Sequence, residues 1–174
     1  QYSKGERILP KLFPLVNGIY VAICEGDDFW VSPLKLSIQL NLMSSDSRIG
    51  MVYSNFSRCD EDGGDNIFGK SQLNLSGYIS DKLLVKNFIA TLTVMIRKTA
   101  LDEAMKTFNC RDFRMLDLPL WLAISLSSKI GCIEQELACY RVVGGSITHQ
   151  SSLRERHLFL LSAFDAKFFF MKTN

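Results

Sequence analysis

The sequence predicts an α/β domain with a largely parallel sheet. Three observations carry this reading: apolar runs of strand length recur, segments of helical spacing separate them, and one run, Ile19 to Cys24, is apolar at all six positions. A strand apolar on both sides is what a parallel sheet covered on both faces requires. The chain of 174 residues shows no linker or internal repeat, so residues 1–174 are read as a single domain.

The elements follow in order. Ile8, Leu9, Leu12, Phe13, Leu15 and Val16 have helical spacing, while Pro10 and Pro14 each remove a backbone donor, which predicts a short, kinked helix over residues 6 to 17. Asn17-Gly18 marks a turn before the strand Ile19 to Cys24. After Glu25-Gly26-Asp27-Asp28-Phe29-Trp30, Ser32 caps and Pro33 opens a helix running to about Met43. A second strand spans Ile49 to Phe56 and is closed by the polar loop Cys59 to Asn66. Helical spacing returns at Asp81 to Asn87, a strand is predicted at Ala90 to Arg97 and a helix at Thr99 to Phe108. Asp117-Leu118-Pro119 opens a further helix, short strands follow near Lys129 to Glu134 and Leu137 to Val143, and Ser151 to Lys172 forms a single helix.

Composition excludes several functional classes. Twenty basic residues against eighteen acidic ones give a net charge of +2, and no basic stripe is interleaved with aromatics, so nucleic acid is not a predicted ligand. The five cysteines, Cys24, Cys59, Cys110, Cys132 and Cys139, never form C-x-x-C; this speaks against a zinc site or a disulfide framework and predicts a cytoplasmic setting. The most apolar tract, His157 to Met171, carries Asp165 and Lys167 and is shorter than the ~20 residues that cross a bilayer. The chain begins at Gln1 without Met or a leader, which reads as a fragment. The P-loop, nucleophile-elbow, H-E-x-x-H and G-x-G-x-x-G motifs are all missing from the sequence.

Glu25, Asp27 and Asp28 crowd three carboxylates into four residues at the end of an apolar strand. Such groups repel unless a cation or hydrogen-bond donors offset them, and Mg²⁺ or Mn²⁺ binds through one or two carboxylates together with substrate phosphates. The same residues also suit a solvated turn in which Gly26 supplies an unusual backbone angle. Asp117, two residues before Pro119, suits a helix cap; a carboxylate held by backbone donors also stays ionised and can accept a proton from a hydroxyl. Trp30 and Trp121 read as packing residues. The loop from Asp60 lacks the glycine and glutamate of a calcium-binding EF-hand at its sixth and twelfth positions, where it has Asp65 and Ser71. His149 and His157 have no partner at metal-ligand spacing.

Taken together, these segments resemble family 2 glycosyltransferases of the GT-A fold, in particular the bacterial group carrying a stretch like Gly18-Ile19-Tyr20-Val21-Ala22-Ile23-Cys24-Glu25-Gly26-Asp27-Asp28-Phe29-Trp30. The likeness extends through Pro33-Leu34-Lys35-Leu36 and Gln39, Thr91 to Arg97, and Asp117-Leu118-Pro119-Leu120-Trp121-Leu122. It continues to Tyr140-Arg141-Val142 and Ser146-Ile147-Thr148-His149, so that it covers most of the chain.

The resemblance implies a Rossmann-like, mixed but mostly parallel sheet flanked by helices. It also implies inverting transfer of a sugar from a nucleotide-sugar, a UDP-sugar first among them, to a saccharide or lipid-linked acceptor in bacterial surface-polysaccharide synthesis. By the same likeness Glu25, Asp27 and Asp28 match the metal-binding D-x-D element, with Glu25 in place of the first aspartate. Asp117 matches the catalytic base, and Arg141 and His149 lie near the donor diphosphate. The family's first strand, its uracil- and ribose-binding loop and the paired acidic residues after it have no counterpart here, so the chain is expected to be an N-terminally truncated copy that binds nucleotide weakly. A second reading is a non-catalytic remnant or partner-binding module. The final helix, with Leu158 to Leu161 and Phe168 to Met171 near Arg154, Arg156, Lys167 and Lys172, suits a core or partner surface, peripheral contact with the inner face of the cell membrane, or self-association.

Overall fold

Residues 9–62, 73–108, 113–142 and 152–173 are described by the computed structural model. Helix α1 (Leu9–Leu12) passes into a 3₁₀ turn at Phe13–Leu15, with Pro14 in its first turn; the predicted kinked helix is present. Strand β1 (Tyr20–Ala22) leads through the acidic loop to the two-residue β2 (Phe29–Trp30). Helix α2 (Lys35–Ser45) follows, its approach shaped by Ser32, whose Oγ accepts the Leu34 N–H at 3.2 Å. Then come β3 (Ile49–Cys59), α3 (Ser80–Val85), a 3₁₀ turn at Thr91–Thr93, β4 (Met95–Arg97), α4 (Lys98–Phe108), α5 (Asp117–Ser127), β5 (Lys129–Arg141) and α6 (Leu153–Thr173).

The described strands form one sheet in the order β1-β4-β3-β5-β2. The fold is α/β and the sheet is mixed, as predicted, but it is not mostly parallel: β3 and β5 run parallel, whereas β1–β4, β3–β4 and β2–β5 are antiparallel. An apolar run reports burial, not the direction of its neighbour. Even the burial reading of this run needs correction: Ile19 and Cys24 are exposed at its ends, and between them Val21 and Ile23 are buried while Tyr20 and Ala22 are only half-buried, the alternation of a strand with one well-covered face. Two further corrections are local. Ala90 to Arg97 is a 3₁₀ turn followed by a three-residue strand, and the two short strands expected after α5 are one strand of 13 residues. The polar residues Glu134 to Glu136, which read as a break in the sequence, fall where the register against Ser54, Asn55 and Phe56 of β3 shifts.

Helices cover both faces of the sheet. On one side Met43 of α2 packs with Ile49, Val52 and Met95. On the other, Met51, Tyr53 and Ile96 meet Leu118, Trp121 and Leu122 of α5, Leu101 of α4 and Phe170 of α6. Ile49 and Val52 are three apart yet share a face because the register slips at Gly50. A methyl group there would sit 2.5 Å from Ser128 Cβ. Gly50→Ala is therefore expected to lower stability by ~1–3 kcal/mol through overpacking, and Ser128→Gly in the same chain to recover most of the loss, as measured by urea unfolding.

Candidate active site

The acidic loop is a tight turn pinned to the far end of β5. Asp28 N–H donates to the Glu25 carbonyl at 3.1 Å, which gathers Glu25, Asp27 and Asp28 within one turn. Gly26 does not take the left-handed angle expected of it; among the described residues the positive-φ glycine is Gly77, at 102°. Beyond the turn, Phe29 and Trp30 pair with Cys139 and Ala138 of β5. Two residues further along β5, Arg141 closes the loop. Its backbone N–H donates to Asp28 Oδ1 at 2.8 Å, its Nε to the Asp27 carbonyl at 2.9 Å and its Nη1 to the Glu61 carbonyl, and its guanidinium lies 5.3 Å from the Phe29 ring centre. The residue that the resemblance places near a diphosphate is thus itself a clasp on the acidic loop.

Asp117 is the first residue of α5 rather than its cap, contrary to expectation; Leu116 occupies the cap position and makes no side-chain cap hydrogen bond. Its carboxylate lies at the positive end of the helix, where the backbone amides of Leu118 and Asp117 reach it. Oδ2 accepts the side-chain amide of Asn87 at 2.8 Å. The segment carrying Asn87 also holds the acidic side of the site. Trp30 Nε1 donates to the Leu92 carbonyl at 3.1 Å, Gln39 Nε2 to the Thr93 carbonyl at 2.7 Å and Trp121 Nε1 to the Ile89 carbonyl at 3.2 Å. Five residues span at most ~18 Å, so the grips on Asp117 and on Trp30 are that close along one piece of backbone. Burial of Trp121 agrees with its reading as a packing residue, and both indoles satisfy buried carbonyls in addition.

The charges at this site are poorly offset. Loss of hydration raises the Glu25 carboxyl to about 7, with the fields of Asp28, Asp27 and Asp117 adding to it in that order. Asp28 is raised to about 6, chiefly by burial; the Arg141 amide and guanidinium pull it back and Asp27 pushes it up. Burial likewise raises Asp117, against the Leu118 amide and Asn87. Asp28 Oδ2 is buried without a hydrogen-bond partner, an expensive state for a carboxylate oxygen. Among the described residues no group of three or more His, Cys, Asp or Glu side chains is gathered as a metal-binding set. One or two carboxylates joined by substrate phosphates are what a Mg²⁺-type site needs, however, and the orphaned oxygen of Asp28 with Glu25 beside it fits that donor set.

Glu25, Asp27, Asp28 and Arg141 are thus brought together, and the field of Asp117 reaches Glu25. His149 lies outside the described residues. Two residues went unassigned in the sequence. Lys35 is fully buried, with Nζ donating to Gln39 Oε1 at 2.8 Å and lying 4.4 Å from the Trp30 ring centre; burial draws its ammonium down to about 8, against the Cys24 thiol. Its four-residue spacing from Gln39 was the available signal. Asn87, distant in sequence from Asp117, left none.

No protein-family model matches the chain. It is 28% identical over 136 residues, 78% of its length, to uncharacterized proteins of Mycobacterium tuberculosis and Mycobacterium bovis, and spans 38% of those relatives. It is 29% identical over 131 residues to an uncharacterized glycosyltransferase of Rickettsia felis, covering 75% of this chain and 21% of that protein.

Carboxyls held above their ordinary range favour folding in the protonated state. That contribution is whole below the unfolded value of 4.5 for Glu25 and is lost as pH rises through about 7. Glu25→Gln is therefore expected to melt above the parent protein at pH 8, with the margin shrinking as pH falls from about 7 and gone below 4.5; thermal melts of the two proteins without added metal measure it.

Proposed function

We propose that this chain is the acceptor-side part of a glycosyltransferase that moves a sugar from a nucleotide-diphosphate sugar, a UDP-sugar first among the candidates, to an acceptor hydroxyl with inversion. The observation that carries the reading is the junction at residues 87–93, which ties the acidic loop through Trp30 and the half-buried Asp117 to one stretch of backbone. The likeness to part of a glycosyltransferase of Rickettsia felis supports it. Placement at the end of β1 supports it too, since ligands of open α/β sheets collect at strand ends.

In this proposal Glu25 and Asp28, with Asp27 beside them, hold Mg²⁺ or Mn²⁺. When bound, the cation supplies positive charge against the departing nucleotide diphosphate. Arg141 fixes the acidic loop through the Asp28 carboxylate and the Asp27 carbonyl, which leaves the second oxygen of Asp28 free of a protein partner. Asp117 accepts the proton of the acceptor hydroxyl as that oxygen attacks the anomeric carbon. Burial raises the Asp117 carboxyl, and the backbone amides at the first turn of α5, with the Asn87 amide, partly offset that rise by favouring its charged form.

The full-length enzyme is to be screened with UDP-, GDP- and dTDP-sugars by release of nucleoside diphosphate in the presence of Mn²⁺ and a saccharide or polyprenyl-phosphate-linked acceptor. Asp117→Asn is expected to lower kcat ~10²–10⁴-fold while leaving donor KM near the parent value, and retained transfer in this variant would remove Asp117 from the base role.

A lipid-linked acceptor is favoured by one feature of α6. Leu160, Leu161, Phe164, Phe168 and Met171 stand exposed, while Lys172 Nζ lies 4.4 Å from the Phe168 ring centre and Lys167 Nζ 5.9 Å from that of Phe164. Among the described residues no helix is long and apolar enough to cross a membrane, so contact of this kind would be peripheral. Phe164→Ser with Phe168→Ser is expected to lower co-sedimentation with phosphatidylglycerol vesicles several-fold, and unchanged binding rules the contact out.

A further inference from the structure

A general base in a half-buried setting needs its charge stabilised and its oxygens aimed. At Asp117 the first task is shared among the amides of α5, but the second falls on a single side chain. Asn87 Nδ2 donates to Asp117 Oδ2 at 2.8 Å, a bond that fixes rotation of the carboxylate about its last torsion.

Asn87 is itself held in one orientation. Its Oδ1 accepts the backbone N–H of Ile89 at 3.3 Å, so a flipped amide would set oxygen against carboxylate and NH₂ against N–H, two repulsive contacts in place of two hydrogen bonds. Ile89 in turn presents its carbonyl to the indole N–H of Trp121 at 3.2 Å. Trp121 lies four residues after Asp117, one turn further along α5, and is fully buried. The chain of contacts from Asp117 to Asn87, Ile89, Trp121 and back along α5 to Asp117 is therefore closed. Within that circuit Asn87 is the link made only of side-chain atoms on a segment that belongs to neither α3 nor β4. Helix stability does not require it, and its amide is spent on the carboxylate.

We infer that Asn87 is a positioning residue for the transfer reaction: it sets the rotation of the Asp117 carboxylate and, through the same segment, its placement relative to the acidic loop held by Trp30. This inference rests on the proposed role of Asp117 as base. Substrate need not touch Asn87; its influence passes through the carboxylate it holds.

Three proteins test it in full-length form: the parent, Asn87→Leu, which keeps the shape without the donor, and Asn87→Gln, which keeps the donor but displaces it by one methylene. Nucleoside-diphosphate release from the UDP-, GDP- and dTDP-sugar panel is measured with Mn²⁺ and saturating acceptor, alongside melting temperature and the ¹H–¹⁵N resonances of the Asn87 side-chain amide. In the parent, those amide resonances are expected to shift on Asp117→Asn. Asn87→Leu is expected to lose up to ~10²-fold in kcat, the scale of a misplaced reacting group, with donor KM within about twofold of the parent, and Asn87→Gln to lie between the two. If Asn87→Leu fails to fold, Asn87→Gln alone decides through the same split between kcat and KM. An active parent whose Asn87 variants keep full kcat, or lose it only in step with melting temperature, overturns the role of Asn87 and leaves the transferase reading standing. A parent that releases no nucleotide from any donor overturns the transferase reading, and the role of Asn87 falls with it.

Discussion

Three backbone carbonyls in the stretch from Asn87 to Thr93 are the constraint on which the site depends. Ile89, Leu92 and Thr93 each accept a hydrogen bond from a long side chain of another element: Trp121 of α5, Trp30 of β2 and Gln39 of α2. Carbonyls in an irregular connection have no ladder to join, and leaving them buried and unpaired would be costly. Satisfying them from three directions turns the connection into a junction. It carries no candidate catalytic group, yet it sets where the acidic loop and α5 stand with respect to each other.

Lys35 belongs to the same junction. A fully buried ammonium with one amide oxygen and one indole face for company is tolerated because the aromatic face offers negative potential where water is excluded. Its hydrogen bond orients the Gln39 amide, whose nitrogen is thereby directed to the Thr93 carbonyl. Removing the ammonium would free that amide to turn. The lysine thus acts on the fold through orientation more than through charge.

The acidic loop shows the opposite balance. Arg141 could have neutralised it, but the guanidinium is directed at the carbonyls of Asp27 and Glu61, and the carboxylate of Asp28 meets the backbone N–H of Arg141. Loop geometry is fixed while loop charge is only partly offset; burial first, and the neighbouring carboxylates after it, hold Glu25 and Asp28 above the ordinary carboxylate range. In the proposed role, a cation that met the free oxygen of Asp28 would offset the cost of its burial.

Local pattern determined a good deal by itself. Helical spacing located α2, α4, α5 and α6, the prolines marked the break near the start, and the order of carboxylates after an apolar run identified the loop that Arg141 clasps. These features depend on residues a few positions apart, where backbone geometry fixes which side chains are neighbours. Strand direction, the continuity of β5, the burial of Lys35 and the pairing of Asn87 with Asp117 were decided only by the tertiary structure. Each of these joins segments, or a side chain to its surroundings, in ways that periodicity does not encode. Ile19 to Cys24 would look the same beside a parallel or an antiparallel neighbour. An asparagine thirty residues before an aspartate becomes its partner only once α5 and the connection to β4 have packed on the same face of the sheet.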